Sequence, residues 1–156
     1  MLERRRIKRQ RDGSFALRLP DGERDILRQL PGELKQLLDS DDDPALRRLF
    51  PPAYTDDVVK DAEYQMLMRR ELLERHRASL DVVERTVDAE VLSEDELSAW
   101  MAALNQLRLV LGTRLDVTED MEQPADDDPA ARPYALYAYL SFLQDQIVSA
   151  LSGSYS

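Results

Sequence analysis

Between Asp57 and Asp88, apolar side chains return at alternating steps of three and four, the spacing of a long helix that buries one seam. The seam positions hold Val59, Ala62, Met66, Arg69, Leu73, His76, Leu80, Val83 and Val87, seven of them apolar. Such a stripe has to be covered by other elements, and the rest of the chain reads as suppliers of cover. From Glu23 to Leu38, residues Ile26, Leu27, Leu30, Leu34, Leu37 and Leu38 keep helical spacing. Pro31 inside that run removes a backbone donor, so a kink or two short helices are expected. Asp43-Pro44 reads as an N-cap followed by Pro at the first helical position, and Pro51-Pro52 closes that short second helix.

Ser93 and Glu96 have capping-box spacing and open a fourth helix with Leu97, Trp100, Met101, Leu104, Leu107 and Leu111 on one stripe. Gly112 marks the approach of its end. A last helix starts near Pro129 or Pro133 and carries Leu136, Leu140, Leu143, Ile147 and Leu151. Tyr137 adjoins that stripe. Tyr139 points elsewhere and, if exposed with Phe142, would suit a protein interface. Gly153 and the final Ser residues are expected to fray.

The N-terminus has the other period. Phe15, Leu17 and Leu19 alternate with Ser14, Ala16 and Arg18, as in a half-buried strand. Asp12-Gly13 before them reads as the central pair of a type I′ hairpin turn. The preceding strand has only Ile7 to turn inward. Pro20-Asp21-Gly22 ends the hairpin, with Asp21 expected to cap the first helix. The fold expected is therefore mainly α: a single bundle-like helical domain of about five helices, preceded by a short N-terminal β-hairpin. It spans 1–156, with the hairpin over 1–20, the bundle over 21–152 and an acidic loop near 116–131.

Composition removes several chemistries. The 156 residues include no Cys, one His and five Gly. Disulfides, thiolate-bound metals, a thiol nucleophile and a multi-His metal site are excluded. No Walker loop, Gly-x-Ser-x-Gly elbow or His-Glu-x-x-His motif occurs, so neither a cofactor nor a catalytic set is expected. The basic N-terminus is followed by no apolar stretch of signal-peptide length, and runs such as Leu107 to Leu111 are too short to cross a bilayer. The cytoplasm is the expected compartment, without a membrane partner.

Charge is the sharpest feature. Arg4, Arg5, Arg6, Lys8, Arg9 and Arg11 against Glu3 give the first eleven residues a balance of +5, while the whole chain carries -10. The remainder is therefore -15, with acid gathered at Asp41 to Asp43 and again between Asp116 and Asp128. A body this acidic repels polyanions at long range, so only the hairpin could hold DNA. The alternative use of those cations is docking onto the acidic body. The aspartate runs lack calcium-loop spacing and read as solvated loop and helix-start acid rather than metal ligands.

Arg69 and His76 interrupt the long seam seven residues apart. They read as a buried polar pair, with Arg69 snorkelling at the seam edge and His76 bonded to a carbonyl or carboxylate. Functionally they could receive a carboxylate from a ligand or partner, with His76 sensing pH. A catalytic site built from Arg69, His76 and Arg114 is a third, weaker alternative.

Several phrases together carry a resemblance. They are Arg11-Asp12-Gly13 leading into Leu17-Arg18-Leu19, Leu30-Pro31-Gly32-Glu33-Leu34, and Asp43-Pro44-Ala45-Leu46-Arg47-Arg48-Leu49-Phe50-Pro51. Asp81-Val82-Val83-Glu84-Arg85-Thr86 is another, and the most specific runs from Leu104-Asn105 through Leu107 to Leu115, with Arg108, Gly112, Thr113 and Arg114. Over nearly the whole chain the sequence resembles a small actinobacterial family filed as a domain of unknown function. Its members are usually encoded beside the Clp protease adaptor ClpS, and some are labelled transcriptional regulators. The resemblance implies a cytoplasmic actinobacterial protein and brings no catalytic residues. The function expected is a non-enzymatic regulatory or protein-interaction module, with the Clp adaptor as the first partner to test. The alternative is a DNA-associated regulator using the basic hairpin, and a homo-oligomer remains open.

Overall fold

The computed structural model describes residues 5–39, 46, 49, 58–115 and 124–153. In chain order these form β1 (Ile7–Arg9), β2 (Phe15–Leu17), α1 (Asp21–Leu38), α2 (Val58–Thr86), β3 (Val91–Leu92), α3 (Glu94–Leu115) and α4 (Ala131–Ser152). The fold is mostly helical behind a short antiparallel hairpin, with four helices among the described residues. The helix expected between Pro44 and Pro51 lies outside them except for Leu46 and Leu49, which are both buried in the core.

The hairpin acquires a third strand that the sequence pattern did not suggest. β2 lies between β1 and β3, all antiparallel, with Ile7 opposite Leu17, Lys8 opposite Ala16, Phe15 opposite Leu92 and Ala16 opposite Val91. β3 is only two residues long, too short to show a period. The turn also differs from the expected one. Gly13 N donates to Gln10 O at 3.1 Å, which centres the turn on Arg11 and Asp12 and leaves Gly13 after it at φ +88°. That is the three-residue loop with a left-handed glycine, and the Asp12 carboxylate secures it by accepting from Ser14 N at 3.0 Å.

α1 runs through Pro31 as one helix rather than two, with Leu27, Leu30, Pro31, Leu34 and Leu38 buried. The lost backbone bond is outweighed by burial of that stripe, each Leu contributing roughly 1.5–3 kcal/mol. Asp21 is the first helical residue and makes no cap. Pro20 stands at the cap, its carbonyl accepting from Glu23 N and Arg24 N. Ser93 and Glu96 form the expected box: Ser93 N donates to Glu96 Oε1 at 2.8 Å, and Glu96 N to Ser93 Oγ at 3.1 Å.

α3 is the centre of the molecule. Leu97, Trp100, Ala103, Leu104, Leu107 and Val110 are buried between α2 on one side and α4 on the other, and α1 packs on α2. Trp100 is fully enclosed and its indole donates to Thr86 Oγ1 at 2.7 Å, which in turn donates to Val82 O at 2.6 Å. α4 ends at Gly153, which takes the left-handed conformation at φ +67°. No helix among the described residues is long and apolar enough to cross a membrane.

Candidate functional site

The basic N-terminal segment divides once it is folded. Arg6 sits on β1's approach and clamps Glu23 of α1 side-on, with Nε 3.1 Å from Oε1 and Nη2 2.8 Å from Oε2. Its backbone N–H donates to Gln146 Oε1 at 3.0 Å, and its guanidinium lies 5.3 Å from the centre of the Phe142 ring. Arg9 shares the inward face with Ile7. Its Nη2 donates to Ala150 O at 3.2 Å and Leu151 O at 2.9 Å, the carbonyls of α4's last turn, where the helix dipole favours a cation. The same group lies 5.2 Å from the centre of the Phe15 ring. Arg5, Lys8 and Arg11 are exposed, and Arg4 lies outside the described residues.

Tyr139 belongs to this cluster instead of an exposed interface. Its hydroxyl donates to Glu23 Oε1 at 2.7 Å, and its ring packs against the core and 6.4 Å from Phe142. The displacement from the Leu136 stripe that seemed to send it outward sends it toward α1's first turn. Burial pushes the Glu23 carboxyl up, but the hydrogen bonds from Arg6 and Tyr139 and the charge of Arg6 outweigh it and hold the group below its ordinary value. Burial and the neighbouring Glu23 carboxylate push the Tyr139 phenol well above its ordinary value.

A second cation, Arg24, was not singled out by any sequence signal. Its guanidinium donates to four backbone carbonyls, Leu17 at 3.2 Å, Leu19 at 3.1 Å, Val87 at 2.6 Å and Ala89 at 3.0 Å. It ties the end of β2 to the turn between α2 and β3.

Arg69 and His76 are both half-buried on α2. His76 Nε2 lies 3.4 Å from Leu49 O, and burial lowers its pKa against the opposing effect of that carbonyl. Arg114 is exposed, on the rim of an apolar groove of about 320 Å³ between α1, α3 and α4. Leu34, Leu37, Leu107, Leu111 and Leu136 are among its walls, and Glu33 joins Arg114 at the rim. Arg69 and His76 do not line it. Of the three residues of the catalytic alternative, Arg114 alone is among the residues that line this groove.

The motif residues of α3 serve the helix and its contact with α4. Arg108 Nη1 reaches Ser141 Oγ at 3.5 Å, while its Nε is buried without a hydrogen-bond partner among the described residues. Thr113 Oγ1 donates to Leu109 O at 2.8 Å, and Gly112 is buried. Among the described residues no group of acidic or His side chains could hold a metal ion. Asp126 to Asp128 are exposed, and Asp128 accepts from Ala130 N at 2.8 Å just before α4. The Asp41 to Asp43 run lies outside the described residues.

A family model described as "Domain of unknown function (DUF2017)" matches residues 4–151. Among curated proteins, the chain is 32% identical over 130 residues to the oxidative stress regulator AosR of Mycobacterium tuberculosis and of Mycobacterium bovis, covering 72% of this chain and 60% of each relative. It is 32% identical over 132 residues to the putative oxidative stress regulator AosR of Mycobacterium leprae, covering 70% of this chain and 59% of that protein. The chain thus spans about 60% of the length of these relatives. No solved structure matches it.

Proposed function

The chain belongs to the DUF2017 family, and from that premise we propose that it is a non-enzymatic regulatory module that works through protein interaction in the cytoplasm. The observation that carries this reading is what its polar side chains are engaged with. Catalysis needs groups converging on one reacting atom. Here His76 is turned to the Leu49 carbonyl, Arg6 and Arg9 hold the hairpin to the body, and Arg114 borders a groove with mostly apolar walls. Such walls suit the apolar side of a protein segment better than a polar substrate. The name of the mycobacterial relatives, oxidative stress regulators, supports a regulatory role. With no Cys in these 156 residues, a thiol switch is not available to this stretch.

The resemblance to a family encoded beside the Clp adaptor makes that adaptor the first partner to test. Purified adaptor titrated into the full chain in a calorimeter should give saturable binding that Leu111→Lys in the groove wall weakens. A native pull-down should return a stoichiometric partner. Recovery of the chain alone, with no heat from the adaptor, would favour a homo-oligomer and overturn the hetero-partner reading.

A further inference from the structure

We propose that the outer face of the β-sheet docks an acidic protein segment, whose carboxylates are taken by Lys8 and Arg18. This rests on the protein-interaction reading above and adds the chemistry of the partner. The strand register carries the argument. Ile7, Phe15, Leu17 and Leu92 turn inward, so Lys8, Ala16, Arg18 and Val91 share the opposite face. Lys8 stands directly opposite Ala16, and Arg18, two residues further along, continues the ladder by donating its N–H to Arg6 O at 2.7 Å. Lys8 and Arg18 are thus diagonal neighbours, about 7–8 Å apart at Cα, close enough for both side chains to reach one carboxylate or two adjacent ones.

Both cations are exposed, and neither side chain makes a hydrogen bond or ion pair among the described residues; the same holds for Arg11 at the turn. In a chain of net charge -10, this like-charged pair is left without compensation while Arg6 and Arg9 on the same hairpin are satisfied by the body. Beside Arg18, the small Ala16 side chain lies in a depression of about 360 Å³ whose lining also includes Gln10, Arg24, Glu90 and Val91. Val91 is 47% exposed and offers an apolar contact beside the cations. The face therefore matches a segment that alternates carboxylates with apolar side chains.

Magnitudes favour a protein segment over nucleic acid. Beside the engaged Arg9, the described hairpin exposes four cations, Arg5, Lys8, Arg11 and Arg18, enough for about four phosphates, against roughly six to ten for proteins that hold duplex DNA firmly. The acidic body adds repulsion that grows with the ligand's charge, so it opposes a duplex more than a short acidic segment.

The test is fluorescence anisotropy on the full chain with three labelled probes: a peptide alternating glutamate and valine, its glutamine counterpart, and a short duplex DNA. The acidic peptide should bind and the neutral one should not. Affinity should fall at least about tenfold between roughly 50 and 300 mM salt. Lys8→Glu with Arg18→Glu should reduce it at least about tenfold at an unchanged melting temperature, because neither side chain has a partner to lose. Lys8→Arg should retain binding. Absence of binding, equal binding of the neutral peptide, or binding that survives the double substitution overturns the proposal. Tighter binding of the duplex, lost in the same variant, overturns it in favour of nucleic acid. Capture of the Clp adaptor that is unaffected by the double substitution would remove this face from the interaction while leaving the module reading intact.

Discussion

Arg6 and Glu23 form a two-pronged contact between the N-terminal strand and the first turn of α1, at 3.1 and 2.8 Å. Their side chains are only 16% and 18% exposed, and Tyr139 from α4 completes the shell of the carboxylate at 2.7 Å. Three elements remote in sequence meet at one carboxyl group.

Removing one partner strands the other in a largely buried place. Glu23→Gln or Arg6→Ala should cost about 2–3 kcal/mol, toward the low end for buried pairs because both groups retain some water. Since the Glu23 carboxyl is held below its ordinary value of 4.5 when folded, its contribution is complete above that value and is lost as pH falls through the folded pKa. Urea unfolding of the wild type at pH 7 and at pH 3.5–4 should therefore show a larger loss than the same pair of measurements on Glu23→Gln. Equal losses would contradict the linkage.

His76 gives pH dependence of a different origin. Burial lowers its pKa from 6.5, so the unfolded chain binds a proton more readily than the folded one. Stability from this group is complete above about pH 6.5 and falls as pH drops toward the folded pKa. The imidazole carbon proton followed by NMR should titrate with a midpoint below 6.5, and His76→Gln should flatten the stability profile between about pH 7 and 5. A midpoint above 6.5 would contradict the burial argument.

Thr86→Val removes the acceptor of the enclosed Trp100 indole and should cost about 1–3 kcal/mol, the penalty of an unpaired buried donor. Trp100→Phe removes the donor, along with part of the ring volume. In the double variant the unpaired donor is gone, so the cost should fall short of the sum of the singles by about 1 kcal/mol or more. Strict additivity in thermal melts would mean that the bond contributes nothing.

Pro31 lies inside α1 and is buried. Pro31→Ala restores a backbone donor and relieves a helix-interior penalty of about 3 kcal/mol, at the cost of about 1–2 kcal/mol of lost ring packing. The net expectation is stabilisation by about 1 kcal/mol, a rise of about 2–4 °C in melting temperature. A lower melting temperature would show that the ring's packing dominates.

The stripes of Leu27, Leu30, Leu34 and Leu38, of Leu80, Val83 and Val87, and of Leu140, Leu143 and Ile147 announced their helices because helical burial repeats every three or four residues within one segment. The Ser93–Glu96 box and the left-handed Gly13 were legible for the same reason: their partners lie within a few positions. β3 escaped notice because two residues carry no period. Asp21 is in the first turn without capping it, since Pro20 already supplies the acceptor for Glu23 and Arg24.

By itself the sequence determined the helical character of the chain, the turn that makes a hairpin, the charge split between that hairpin and the body, and the chemistries that a chain without Cys and with one His lacks. Only the tertiary structure decided which N-terminal cations are spent on the body. Arg6 finds Glu23 at a separation of 17 residues, and Arg9 finds the last turn of α4 at 142. Periodicity and capping are written within a few residues of chain, whereas a guanidinium's partner exists only once packing has carried distant acceptors to within about 3 Å of it.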